Sequence, residues 1–282
     1  VAEEKHKALK QRDFQFSVLL PVYAGDHPAH FEAALESIFN QTLAPDEIVV
    51  VADGPLTEAQ YQILEKLAKP TLKVVKRLVN GGLSAALNTG LNACAHNWVA
   101  RMDADDIALP HRFATQMAYL KAHPNTTIVG SWIAEYDTDM VREFGLRKGP
   151  AEHKTLVRYA RWRCPFNHMT VVYRKDQVLA CGGYEDFGAV GDDYVLWVRL
   201  IQQGYKTANI PEVLVHARAG QQFFGNRRRG WRYFKQELRE IRYFYETRFI
   251  GRGLFLFHFT IKAITRLSPP FVVRFIYWLM RR

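Results

Sequence analysis

The chain has little cysteine, and what it has is not arranged for structural use. Its three cysteines, Cys94, Cys164 and Cys181, are odd in number, far apart and include no C-x-x-C pair. That argues against a disulfide framework or a structural zinc site and points to a reducing compartment. The opening residues, VAEEKHKALKQRD, are charged and lack the apolar core of a secretory signal, so none is expected. Long apolar runs are missing as well. Between Phe249 and the last residue, the longest stretch without Lys or Arg is Gly253–Ile261, far short of the roughly 20 residues a membrane-spanning helix needs. Arg252, Lys262, Arg266 and Arg274 interrupt the rest, which excludes a spanning helix there but leaves one lying in the interface open. There is no internal repeat and no low-complexity segment. The glycine-rich phosphate loops are absent too: no G-x-x-x-x-G-K-[ST] occurs, and no G-x-G-x-x-G follows the first strand.

With 48% hydrophobic and 23% charged residues in 282, the composition is that of a chain that buries a proper core. The net charge of +10 is unevenly spread: residues 221–282 hold 14 Lys/Arg against 3 Asp/Glu, and the remaining residues hold 24 against 25. The same tail carries 16 of the 37 aromatic residues. One segment is basic and aromatic, and the rest is electrically ordinary.

Strand and helix alternate at first, as in a parallel sheet. Strands are expected at Phe16–Tyr23, Glu47–Ala52, Leu72–Val79 and Trp98–Met102. Between them run a helix opened by Asp26 and Pro28, one with the capping box Thr57-x-x-Gln60 that reaches Pro70, and one over Ser84–His96. A further helix runs from Pro110 to His123. The rhythm then changes to strands at Thr127–Tyr136, Val141–Arg147, Met169–Tyr173 and Glu212–Val215, with a helix over Asp192–Gln203 and short apolar helices at Gly253–Leu267 and Phe271–Met280.

Open α/β sheets bind ligands at the carboxyl ends of their strands. Three of the first four strands end in distinctive polar residues: Asp53, Asn80-Gly81-Gly82, and Asp103-Ala104-Asp105-Asp106. With no phosphate loop, the carboxylate cluster suggests a divalent cation, Mg²⁺ or Mn²⁺, bridging a substrate diphosphate. A D-x-D triplet also arises by chance, and Asp137-Thr138-Asp139 reads as a hairpin turn rather than a site. Asp192-Asp193 at a helix start is favoured by the helix dipole whatever its chemistry.

The runs FSVLLPVYAGDHPAHFEAALESIFNQTLAPDEIVVVADGP, NGGLSAALNTGL, VARMDADDIALPHRFATQM and VGDDYVLWVRLIQQGY lie in an order and spacing that resemble inverting family 2 glycosyltransferases of the GT-A fold. The resemblance covers about residues 14–220. It implies an α/β catalytic domain over 14–220, with 14–107 holding the nucleotide sugar and 108–220 the acceptor, followed by the basic aromatic helical region 221–282. By the same resemblance, Pro21, Val22, Tyr23, Asp53, Asn80, Gly82, Asp103 and Ala104 border the nucleotide sugar, and many relatives carry an Asp where this chain has Ala52. Asp105 and Asp103 would hold Mn²⁺ or Mg²⁺, with His216 a further candidate ligand. Asp106 would buttress the loop. Asp193 is implied as the general base beside Asp192, which replaces the family's usual Glu. His168 and Arg218 are candidates for the acceptor side.

The implied reaction is a single displacement at an anomeric carbon, giving a β-linked product from an α-linked donor. The implied donor is a nucleotide sugar, UDP-linked by expectation, and the acceptor a lipid-linked undecaprenyl-diphosphate glycan of bacterial cell-surface polysaccharide synthesis. Arg227-Arg228-Arg229, Trp231, Arg232 and Lys235 suit an anionic membrane surface, and no nucleic-acid motif accompanies them. A peripheral position on the cytoplasmic face of the inner membrane is the expected location. The alternatives are a nucleotidyltransferase, which lacks its glycine-rich opening loop here, and a non-catalytic membrane- or nucleic-acid-binding protein.

Overall fold

The computed structural model describes residues 14–187, 192–219 and 230–267. A mixed sheet of nine strands forms its centre. Strands β1 (Phe16–Val22) and β2 (Glu47–Ala52) run parallel, with Val18 opposite Ile48 and Leu20 opposite Val50. Side chains alternate across a strand, so an unbroken apolar run serves two layers at once. Val18, Leu20, Val22, Ile48 and Val50 enter one layer beneath helices α1 (Pro28–Phe39) and α2 (Glu58–Lys66). Leu19, Val49 and Val51 enter the other, against Ala86, Leu87 and Leu91 of α3 (Leu83–Ala93). Gly90 permits that approach: a Cβ there would lie 2.1 Å from Leu19 Cδ1 and 2.8 Å from Val51 Cγ2.

Strands β3 (Leu72–Lys76) and β4 (Trp98–Arg101) complete a parallel half in the order β3-β2-β1-β4. The short β5 (Ile107–Ala108) and helix α4 (Arg112–Ala122) follow, then β6 (Thr126–Tyr136), β7 (Glu143–Arg147) and α5 (His153–Tyr159). Strand β8 (Val172–Arg174) runs antiparallel between β4 and β6, and β9 (Lys206–Arg218) runs parallel to β6 with β5 antiparallel on its far side. Helices α6 (Lys175–Ala180) and α7 (Asp192–Gln202) lie between β8 and β9 in the chain. The α/β class expected from the sequence is what the chain adopts.

Several boundaries differ from expectation, each for a local reason. The third strand stops at Lys76, because Leu78 and Val79 swing into solvent. Met169 does not open a strand: His168–Thr170 form one turn of 3₁₀ helix, held by Thr170 N–H and Oγ1, both donating to the Asn167 carbonyl. The expected strand Glu212–Val215 is the middle of a much longer one. Pro211 brings no N–H to a ladder, and the register slips there, with Ile210 opposite Ser131 and Val213 opposite Trp132.

Helices α8 (Trp231–Glu246) and α9 (Arg252–Leu267) form an antiparallel pair beyond β9. Phe244, Phe249 and Ile250 share an apolar cluster with Val195, Val198 and Ile201 of α7, so α8 is docked on the α/β layers. Helix α9 has no buried residue. Arg227-Arg228-Arg229 and the helix expected over Phe271–Met280 lie outside the described residues.

Candidate active site

Adjacent parallel strands bring their carboxyl ends together, and a cavity of about 410 Å³ opens there. Its wall gathers Pro21, Val22 and Tyr23 from the end of β1, Asp53 after β2, Asn80 and Gly82 before α3, and Asp103, Ala104 and Asp105 after β4. Residues far apart in sequence, singled out on motif alone, thus border one space. Asp53 is fully engaged: Oδ1 accepts from Gly81 N–H at 3.0 Å and pairs with Arg77, and Oδ2 accepts from Gly82 N–H at 2.9 Å. Its carboxylate fixes the Asn80–Gly82 loop. Gly82 is the N-cap of α3 at φ +85°, a conformation that favours glycine.

Asp103, Asp105 and Asp106 offer carboxylate oxygens that all lie within 4.8 Å of one another. Asp106 is buried; its Oδ1 accepts from Arg218 N–H at 2.9 Å, and its Oδ2 has no hydrogen-bond partner. Three hard oxygen donors, one with an unsatisfied buried lone pair, fit Mg²⁺ or Mn²⁺. Desolvation, then the charges of Asp103 and Asp26, pushes Asp105 up to about 6. Asp26, also on the cavity wall, is raised to about 6, chiefly by burial. The sequence reading took Asp26 only as a helix-start signal. It missed Arg101 too, whose buried guanidinium forms a two-pronged ion pair with Asp103 from the end of β4.

His216 is not in the carboxylate group; its ring lies against Tyr136, with centroids 4.7 Å apart. Arg218, a candidate for the acceptor side, stands beside the carboxylates. Its register opposite Tyr136 puts its backbone on Asp106, and its guanidinium donates to the Thr138 carbonyl at 3.3 Å. The triplet Asp137-Thr138-Asp139 forms the expected turn, with Asp137 Oδ1 accepting from Val141 N–H at 2.8 Å.

A second, larger cavity of about 910 Å³ adjoins the first, sharing Gly82, Leu83 and Asp103. Asp192, Asp193 and His168 line it. The two adjacent aspartates differ sharply. Asp192 is spent on structure: Ser84 Oγ donates to one oxygen and Phe187 N–H to the other at 2.9 Å. Among the described residues, the side-chain contact to Asp193 is a long one from the Cys164 thiol, at 3.6 Å, and its carboxylate also accepts from the Tyr194 backbone N–H. Burial raises the Asp193 pKa, against the Tyr194 backbone N–H and the nearby Arg101 charge. His168 Nε2 lies 3.1 Å from Tyr184 Oη, and burial, with the Arg101 charge, holds the ring well below its usual pKa and therefore neutral. Part of the cavity wall comes from the helix pair α8/α9, which motif reading did not connect with the site.

Residues 17–182 match the family described as Glycosyl transferase family 2. The chain belongs to that family. Two full-length relatives support the placement. The amylovoran biosynthesis glycosyltransferase AmsE of Erwinia amylovora is 41% identical over 93% of this chain and 97% of its own length. The UDP-Gal:alpha-D-GlcNAc-diphosphoundecaprenol beta-1,3-galactosyltransferase of Escherichia coli is 31% identical over 93% and 95%. Among solved structures, S. aureus TarS superposes with TM-score 0.64 at 18% identity, over 89% of this chain and 44% of its own. The mannosyltransferase PcManGT from Pyrobaculum calidifontis, in complex with GDP-Man and Mn2+, gives 0.61 at 19% over 93% and 73%. At such identities the structures establish the fold. This glycosyltransferase therefore has GT-A architecture, and the family match ends before Asp192, Asp193 and the two helices.

Proposed function

We propose that this family 2 glycosyltransferase is metal-dependent and inverting, and moves a hexose or N-acetylhexosamine from a UDP-sugar to a hydroxyl of a lipid-linked diphosphate glycan in cell-surface polysaccharide synthesis. One observation carries the reading: Asp103 borders both cavities, so the carboxylate cluster and Asp193 face one continuous space. The smaller cavity suits the nucleotide, between Tyr23, Asp53 and the Asn80–Gly82 loop. Asp103 and Asp105, with Asp106 behind them, would hold Mn²⁺ or Mg²⁺, which when bound neutralises the departing diphosphate.

Asp193 is the better base of the two aspartates. Unlike Asp192, it accepts no short side-chain hydrogen bond among the described residues, and desolvation raises its proton affinity, as suits a general base. It takes the proton of the attacking hydroxyl on the face away from the diphosphate, and one displacement inverts the anomeric centre. The names of the relatives support the acceptor class.

The membrane reading rests on α9. Leu256, Phe257, Phe259 and Ile261 are exposed, and Phe257 meets Trp162, a residue of the larger cavity, edge-to-face at 5.5 Å. The apolar face thus adjoins the cavity where a lipid-linked acceptor would enter. Among the described residues no helix is long and apolar enough to cross a membrane, and we assign the chain a peripheral position on the cytoplasmic face. UDP-sugar hydrolysis measured with and without Mn²⁺ tests the enzymatic core of the reading; no metal-stimulated turnover with any UDP-hexose would refute it.

A further inference from the structure

Helix α8 buries a stripe of Phe234, Glu237, Glu240, Ile241 and Phe244, in which two positions are glutamate. A charge on the buried face of a helix is costly unless it is paired and hydrogen-bonded. Glu237 meets that condition. Arg266 of α9 donates to both its oxygens at 2.8 Å, and Lys262 stands 3.4 Å away. Burial works to raise Glu237, but these cations outweigh it and hold the group below the usual carboxylate range.

Glu240 is equally buried, at 5% exposure, and does not meet it. Its one charged partner among the described residues is Lys262, at 3.8 Å, beyond hydrogen-bond reach. Burial pushes it up to about 7 against Lys262, with Glu237 and Asp193 adding to the rise. Beside it, Gln236 Oε1 is buried without a hydrogen-bond partner. Both side chains line the larger cavity together with Asp193. Two buried acceptor groups short of donors, lining the same cavity as the candidate base, match a ligand rich in hydroxyl groups.

We infer that Glu240, with Gln236 beside it, binds hydroxyl groups of the acceptor sugar and so determines acceptor specificity, α8 forming the acceptor wall of the site. The inference rests on the transfer reaction proposed above. The Arg266–Glu237 clamp supplies rigidity, fixing α8 against α9 so that Glu240 meets the sugar in one geometry.

The test uses the full chain, a panel of UDP-hexoses, and synthetic acceptors in which glucose, galactose, GlcNAc or GalNAc is joined through a diphosphate to a lipid. Failure of the wild type to transfer to any of them overturns the transfer reading and the inference with it. With a working pair, Glu240→Leu raises acceptor KM by about 10- to 100-fold, the loss of hydrogen bonds to a charged group. Donor KM and acceptor-free donor hydrolysis stay within about twofold. Glu240→Gln, which keeps the shape and an acceptor oxygen, recovers part of the affinity. Gln236→Leu raises acceptor KM a few-fold and carries the test if Glu240→Leu does not fold. An unchanged acceptor KM in Glu240→Gln and Gln236→Leu overturns the inference while wild-type transfer upholds the reaction. A fall in kcat at constant KM, or parallel losses in Tm and donor affinity, also overturns it.

Discussion

Replacing Asp193 and Asp192 in turn by Asn separates chemistry from scaffold at two neighbouring positions. Among the described residues, Asp193 makes no short hydrogen bond to another side chain, and its side-chain contact is the Cys164 thiol at 3.6 Å. Asparagine is isosteric there and costs little stability. What it removes is the proton acceptor, and loss of general-base catalysis lowers transfer by about 10²–10⁴-fold. Asp192 is the reverse case. Its oxygens accept from Ser84 Oγ and Phe187 N–H, and Asn keeps only one such acceptor. A hydrogen bond to a charged group contributes about 1.5–3 kcal/mol, so Asp192→Asn lowers Tm by several degrees with a smaller loss of turnover. The assays are radiolabelled sugar transfer, nucleotide-sugar titration by calorimetry and thermal melting. Donor affinity stays within a few-fold in Asp193→Asn. The pH profile supplies a further check: the base works only when ionised, and burial raises its pKa, so the acid limb of kcat/KM lies above the usual carboxylate range and vanishes in Asp193→Asn. Crippled transfer in Asp192→Asn with a mild Asp193→Asn would refute the assignment.

Asp105→Ala removes one of three clustered carboxylates and abolishes metal-dependent donor binding, whereas Asp139→Ala, at the turn, leaves it intact by calorimetry with and without Mn²⁺. Converting Leu256, Phe257 and Ile261 of α9 to Ser reduces co-sedimentation with anionic vesicles while nucleotide-sugar binding is kept, since none of the three is buried. Added salt weakens wild-type sedimentation if cations contribute roughly 1 kcal/mol each near the surface. Gly90→Ala drives a methyl into Leu19 and Val51, an overpacking cost of about 1–3 kcal/mol that exceeds the helix-propensity gain and lowers Tm.

The parallel half of the fold was open to reading because its strands are continuous apolar runs and its helices carry local signals, such as the Thr57 capping box, in which Gln60 N–H donates to Thr57 Oγ1 at 3.3 Å. The nucleotide-side residues were found because motifs end strands, and adjacent parallel strands must bring those ends together. The rest depends on distant packing. Arg101 reads as one polar residue closing a strand, and nothing local says that its guanidinium is buried against Asp103. Ser84 and Asp192 are 108 positions apart, so their bond separates the roles of Asp192 and Asp193 only in three dimensions. The basic, aromatic composition of the tail suggested a membrane segment, and that composition conceals two different helices. The spacing of Phe234, Glu237, Ile241 and Phe244 marks α8 as a buried face, a pattern that was present in the sequence and outweighed by the count of arginines.

The most direct test of the account is transfer from an α-linked UDP-sugar to a synthetic lipid-diphosphate glycan, with the new linkage read by the anomeric coupling in proton NMR. A β-linked product that disappears with EDTA and returns with Mn²⁺ is the predicted result. An α-linked product, or transfer unaffected by EDTA, would contradict it.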